Sequence, residues 1–331
     1  MGAPSRILLH RGLLVVCLLG VMLCSCAGKK GVTPPSLPVG ENHLAVHGGN
    51  IWYRVTGTPG GTPVVLLHGG PGMSSYYLKP FEELGSDRQI IRYDQLGGGK
   101  SDKITDTTMF TIEHFVQELD SLRSHLGIQK WHVFGHSWGT ILALEYYRAH
   151  GDHVASIVFG SPVFDIPAYA KRAKELLATL PDSLQQAVKR SEAAGKYDDP
   201  SYQNALGQFY GLYVYRHPIQ ADLDSTFATM NAGIYMYMQG PSEFTLTGTL
   251  KDYNATRFLP GITVPTLFTA GEFDEVGPAL VQDFAARVPK SRYVQFSGSA
   301  HMTPWDAREE NIKVVNDFLH AADSFSDRAG K

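Results

Sequence analysis

Beyond Cys26 this chain of 331 residues has no cysteine; the three it contains are Cys17, Cys24 and Cys26. The body therefore needs no disulfide in an oxidising compartment, and without a C-x-x-C or an H-E-x-x-H a metal site has no support. A basic block is missing as well. With 29 Lys plus Arg against 32 Asp plus Glu the formal charge is -3. No cluster of cations is present to displace counterions from phosphates, which excludes a nucleic-acid partner. No apolar run is long enough to span a membrane: Leu13 to Cys24 covers 12 residues, where a bilayer needs about 20. Gly97-Gly98-Gly99-Lys100-Ser101 invites a phosphate-loop reading, but the glycine required five residues before Gly99 is Asp94. No cofactor is expected.

What is present begins with an address. Arg6 and Arg11 precede the short apolar run, which is the layout of a secretion signal. Its end, Leu23-Cys24-Ser25-Cys26, resembles a bacterial lipobox, in which an aliphatic residue and two small ones precede a cysteine that is acylated and becomes the new N-terminus. The resemblance implies a signal peptide over 1–25 and a lipid on Cys26; a plain secretory signal cut further on is the alternative. Cys24 fits worse, because Leu23 stands where a small residue is wanted. Residues 26–40, with Lys29, Lys30, Pro34, Pro35 and Pro38, read as a tether. The protein is then expected at the cell envelope, anchored to a membrane and facing periplasm or exterior.

From Glu41 onward short apolar runs alternate with amphipathic stretches, the rhythm of an open α/β sheet. Residues 42–57 read as a hairpin. Pro63–Leu67, Gln89–Arg92, Lys130–Phe134, Ile157–Gly160, Val264–Thr269 and Tyr293–Phe296 read as strands, and 111–126 as a helix. Over 163–260 the strand rhythm stops and helix formers and aromatics take over. The expected organisation is a sheet domain, 41–162 and 261–322, interrupted by a mostly helical insertion at 163–260 and followed by a tail at 323–331.

Gly135-His136-Ser137-Trp138-Gly139 lies between an apolar strand and a helical run. In that context a G-x-S-x-G is a nucleophile elbow: the serine sits on a strained turn, glycines leave room for the backbone, and the Trp138 N–H faces a developing oxyanion. A serine needs a base and an orienting acid, in the chain order serine, acid, histidine. Asp274 follows the strand near 264–270 and His301 follows the one near 292–297. Ser137 is thus the candidate nucleophile, His301 the general base and then acid, and Asp274 the holder of its tautomer. A second oxyanion donor is expected at Gly70, in the loop His68-Gly69-Gly70-Pro71-Gly72.

Together, that loop, Asp94-Gln95-Leu96-Gly97, the elbow, Gly271-Glu272-Phe273-Asp274-Glu275 and Ser299-Ala300-His301 resemble the proline iminopeptidase family of α/β-hydrolases, over about 41–322. The resemblance implies a mostly parallel sheet flanked by helices, with the insertion as a helical cap. It also implies a serine aminopeptidase acting on short peptides with a free N-terminus, on proline or another apolar first residue. Gln239-Gly240-Pro241-Ser242-Glu243-Phe244-Thr245 looks like the segment whose glutamate binds the substrate's amino group, a role the family also gives to the residue after the triad aspartate, here Glu275. Gly98 stands where relatives often carry cysteine. An exopeptidase must recognise an ammonium, and carboxylates in a pocket wall pair with one. Tyr210, Tyr213, Tyr235, Met236, Tyr237 and Met238 suit an apolar first residue. Two rivals stand beside this reading: an esterase or amino-acid amidase without the amine site, and a lipid-anchored binding protein without catalysis.

Overall fold

The apolar runs pair into one eight-stranded sheet. The computed structural model describes residues 1–2, 36–218 and 220–329, so positions 3–25 of the expected signal peptide and Cys26 lie outside the described residues. The strands are β1 (Gly40–Val46), β2 (Gly49–Gly57), β3 (Gly61–Leu67), β4 (Arg88–Asp94), β5 (Trp131–His136), β6 (Val154–Gly160), β7 (Thr266–Gly271) and β8 (Ser291–Phe296). Their order is β1-β2-β4-β3-β5-β6-β7-β8. The hairpin β1/β2 and the β2/β4 pair are antiparallel; every pair from β4 to β8 is parallel. The parallel centre is buried on both faces: every residue of β4 and β5 is buried, including the polar Arg88, Gln89, Arg92 and Asp94 of β4 and His132 and His136 of β5, each of which has a hydrogen-bond partner.

Among the described residues two α-helices lie in the first half of the sheet domain and five in the insertion. Helix α1 (Ile112–His125) starts at Thr111, whose hydroxyl accepts from the His114 N–H, and ends on Arg123 and His125, which suit the negative end of its dipole. Helix α2 (Trp138–His150) packs on β5. The insertion then holds α3 (Ile166–Leu177), α4 (Asp182–Ala194), α5 (Pro200–Tyr213), α6 (Ala221–Ala228) and α7 (Ala232–Met238). Local chemistry sets their starts: Asp165, Asp199 and Asn231 cap α3, α5 and α7 through side-chain oxygens, and Pro200 opens α5. After β7 come α8 (Pro278–Ala286), α9 (Thr303–Asp306) and α10 (Arg308–Ala329).

Two boundaries differ from the sequence reading. The tether expected over 26–40 ends sooner, because Leu37 is buried and exchanges both backbone groups with the Gln89 side-chain amide, at 2.7 and 2.8 Å. The tail expected over 323–331 is helical to Ala329, and Asp323 pairs with the buried Arg88 at 3.0 Å and with His132 at 3.1 Å. Neither partner is local in sequence, so no nearby signal marks the contact. Among the described residues no helix is long and apolar enough to cross a membrane.

Candidate active site

Ser137 stands between the end of β5 and the start of α2 with φ 54° and ψ -125°. A non-glycine residue in that region stores strain of about 1–3 kcal/mol and persists only where its surroundings enforce it. The enforcement is steric. A Cβ at Gly135 would run into the Gly139 carbonyl, and one at Gly139 into the Leu67 carbonyl, so both glycines of the elbow are required by contact. Trp138 opens α2, and the first N–H groups of a helix have no intrahelical acceptor.

The loop after β3 is fixed by a buried histidine. His68 Nδ1 donates to the Gly69 carbonyl at 2.9 Å, while its Nε2 accepts from the Gln95 N–H at 3.0 Å. Burial holds the His68 pKa down, which agrees with the neutral one-proton ring these two bonds demand. In a trans peptide the C=O and N–H point opposite ways, so pinning the Gly69 carbonyl on His68 turns the Gly70 N–H to the other side. Gly70, at φ 113°, lines the central cavity together with Ser137. Gln95 ties this loop to the elbow: its Nε2 donates to the His68 carbonyl at 3.1 Å and its Oε1 accepts from Trp138 Nε1 at 2.8 Å.

The turns after β7 and β8 bring Asp274 and His301 together. His301 Nδ1 lies 2.9 Å from Asp274 Oδ1, and both residues are buried. Burial opposes ionisation of either group. The pair overcomes it: the Asp274 charge and hydrogen bond lift the His301 pKa above its ordinary value, and the ring holds the Asp274 carboxyl below the usual carboxylate range. Ser161, a second non-glycine residue at positive φ, donates its hydroxyl to the His301 carbonyl at 3.1 Å. Sequence reasoning missed it, since nothing in the run after β6 marks a strained serine.

Ser137, His301, Gly70 and Glu243 line one cavity of about 270 Å³. Its walls are mostly apolar, from Met73, Leu206, Tyr210, Val214, Phe227, Met230, Tyr235 and Met236. Of the aromatic and thioether residues singled out above, Tyr210, Tyr235 and Met236 reach it. Met238 is buried in the core, Tyr237 packs edge-on against Phe110, and the Tyr213 hydroxyl pairs with Thr179. Leu206, Tyr210 and Val214 recur every four residues from α5 onward, a helical-face signal that could have found them.

The two glutamates occupy different surroundings. Glu243 receives three hydrogen bonds, from Tyr169 Oη at 2.7 Å, Tyr235 Oη at 2.5 Å and Gln239 Nε2 at 2.9 Å. Glu275 receives none at either oxygen, is fully buried and does not line the cavity, and lies 3.9 Å from Nε2 of His301, which does. Burial, then the charges of Glu243 and Asp274, pushes its carboxyl well above the carboxylate range. An unpaired carboxyl next to a well-satisfied one is a site short of hydrogen-bond donors and of positive charge.

A family model described as alpha/beta hydrolase fold matches residues 62–307. The chain is 39% identical over 284 residues to a proline iminopeptidase of Heyndrickxia coagulans, covering 85% of this chain and 99% of that one. It is 34% identical over 289 residues to a proline iminopeptidase of Saccharolobus solfataricus, covering 86% and 93%. The crystal structure of a Mycobacterium smegmatis proline iminopeptidase matches with a TM-score of 0.79 at 33% identity, over 86% of this chain and 99% of that one.

Proposed function

We propose a mechanism from one premise: the chain belongs to the proline iminopeptidase family of α/β hydrolases and is a serine aminopeptidase of that fold. Ser137 Oγ attacks the carbonyl of the first residue and His301 takes its proton. The Trp138 and Gly70 N–H groups receive the oxyanion. His301 then returns the proton to the leaving amine, the first residue stays on Ser137 as an ester, and water releases it. Asp274 keeps the proton of neutral His301 on Nδ1, which leaves Nε2 as the base.

The substrate is a short peptide with a free N-terminus and proline or another apolar residue first. The observation that carries this is the pair of carboxylates. Glu243 is held in place by three donors, and Glu275 lacks all of them. A substrate ammonium brings the missing donors and charge, and it places the first peptide bond over Ser137. The apolar walls take the side chain. The test compares prolyl-naphthylamide with its N-acetyl form. Acetylation removes charge-assisted hydrogen bonds of about 1.5–3 kcal/mol each, so kcat/KM should fall by roughly 10-fold to 150-fold or more. Equal rates would leave the carboxylates without this role.

We further propose that Cys26 carries a lipid and holds the enzyme at a membrane of the cell envelope. The support is the lipobox-like Leu23-Cys24-Ser25-Cys26 behind an Arg-flanked apolar run. Palmitate labelling that is lost in Cys26→Ser is the expected outcome; an unlabelled wild type would contradict it.

A further inference from the structure

One buried hydrogen-bond chain touches all three catalytic loops. The Gly69 N–H donates to Tyr77 Oη at 2.7 Å, and Tyr77 Oη lies 3.0 Å from His136 Nδ1. His136 Nε2 lies 2.9 Å from the His301 carbonyl. Tyr77 and His136 are both buried, and both reach the wall of the cavity that holds Ser137. Each proton has one possible place. A carbonyl only accepts, so His136 carries its proton on Nε2. In the neutral ring Nδ1 then accepts from the Tyr77 hydroxyl, whose oxygen accepts from Gly69. Burial, and after it the neighbouring His301, lowers the His136 pKa to about 3, so the ring stays in that neutral form.

The chain's ends fall on the reacting parts. Gly69 precedes the oxyanion donor Gly70, His136 precedes Ser137, and the His301 carbonyl belongs to the base itself. Tyr77 is fixed from outside as well: its N–H donates to Thr226 Oγ1 of α6 at 3.0 Å, and its carbonyl accepts from Trp305 Nε1 of α9 at 3.0 Å. Because the Tyr77 proton is committed to His136, the hydroxyl has nothing left to give an oxyanion. In this arrangement it is not a third oxyanion donor.

We propose that Tyr77 and His136 are positioning residues: their fixed hydrogen-bond chain holds the oxyanion loop, the nucleophile turn and the base loop in one register. The proposal rests on the serine mechanism above. It predicts an effect on the chemical step and not on substrate affinity, since displacing reacting groups by about 1 Å can lower rates 100-fold.

The experiment uses the full chain with prolyl-naphthylamide and p-nitrophenyl acetate, at a temperature where circular dichroism shows each variant folded. Tyr77→Phe removes only the hydroxyl. It should lower kcat about 10-fold or more on both substrates, with KM within about 2-fold. His136→Leu should lose about 30-fold to 100-fold. His136→Gln, which can accept from Tyr77 and donate to the His301 carbonyl, should recover to within about 5-fold of wild type. Combining Tyr77→Phe with His136→Leu should add little, because both break one chain. Ser137→Ala separates the two claims. If it stays active, the serine mechanism fails. If it is inactive while Tyr77→Phe keeps a normal kcat, raises only KM, or Gln and Leu at 136 behave alike, the positioning role is wrong and the mechanism stands.

Discussion

Two serine–histidine–aspartate sets are built on this sheet, and strand β5 serves both. At its start His132 bridges Ser156, 2.7 Å from Nδ1, and Asp323, 3.1 Å from Nε2. Just past its end stands Ser137, with His301 and Asp274 arriving from the turns after β8 and β7. The first set has the same residue types as the second, and its histidine–carboxylate distance is close to the 2.9 Å between His301 and Asp274. Its serine and histidine are closed off: Ser156 and His132 are fully buried and do not line the cavity that Ser137 and His301 face. In parallel α/β sheets ligands bind outside the carboxyl ends of the strands, and the set at the amino ends is a clamp for α10. Three residue types within hydrogen-bond reach do not make a catalyst; a serine on a strained turn, oxyanion donors and room for a substrate do.

Parallel substitutions at the two ends sharpen the contrast. Ser137→Ala should lower turnover by about 10⁴-fold or more with folding intact, because a triad acts as a unit. Ser156→Ala should leave kcat and KM at wild-type values. Steady-state kinetics on purified variants decides both, and a slow Ser156→Ala enzyme with normal melting would break the comparison.

Removing the acids separates them by observable. Asp274→Asn should lower kcat about 10³-fold to 10⁴-fold, since the amide no longer holds the His301 tautomer. Asp323→Asn should leave kinetics unchanged and destabilise the fold by about 2 kcal/mol through the buried Arg88, roughly a 3 °C fall in melting temperature for a chain of this size. Calorimetry and kinetics on both variants give the two readouts.

The histidines differ in the direction of their titration. His301 has its pKa raised above the ordinary value of 6.5, so its protonated, inactive form persists above that pH and kcat/KM should rise with pH on an acid limb lying above 6.5. His132 is shifted the other way by burial and contributes no such limb. A limb centred well below 6.5 in the pH profile would contradict this assignment.

Much of the catalytic end was legible in the sequence because its geometry is local. The elbow glycines, the run of glycines after β3, and an acid and a histidine at strand ends each leave a mark in a few consecutive residues. The sheet was legible for a similar reason: β3, β6 and β7 are largely buried and mostly apolar in sequence, whereas β4 carries only Ile90-Ile91 as a consecutive apolar pair between charged and polar residues. What sequence reasoning missed is contact at long separation. Tyr77 to His136, Tyr169 to Glu243 and Asp323 to Arg88 join residues 59, 74 and more than 200 positions apart. Nothing in a tyrosine's neighbours announces that its hydroxyl will end on a carboxylate. The difference between Glu243 and Glu275 was equally hidden, since both are ordinary glutamates until burial leaves one with three donors and the other with none.

The amine site is tested most directly by two substrates on three enzymes: wild type, Glu243→Gln and Glu275→Gln, each with prolyl-naphthylamide and with p-nitrophenyl acetate, which has no amine. Each Gln variant should lose roughly 10-fold to 150-fold in kcat/KM on the prolyl amide while hydrolysing the ester at near wild-type rates. The double variant should lose less than the product of the two, because both groups hold one ammonium. Equal losses on amide and ester would mean that the two carboxylates support the triad or the fold, and the account of how this enzyme recognises a free N-terminus would be wrong.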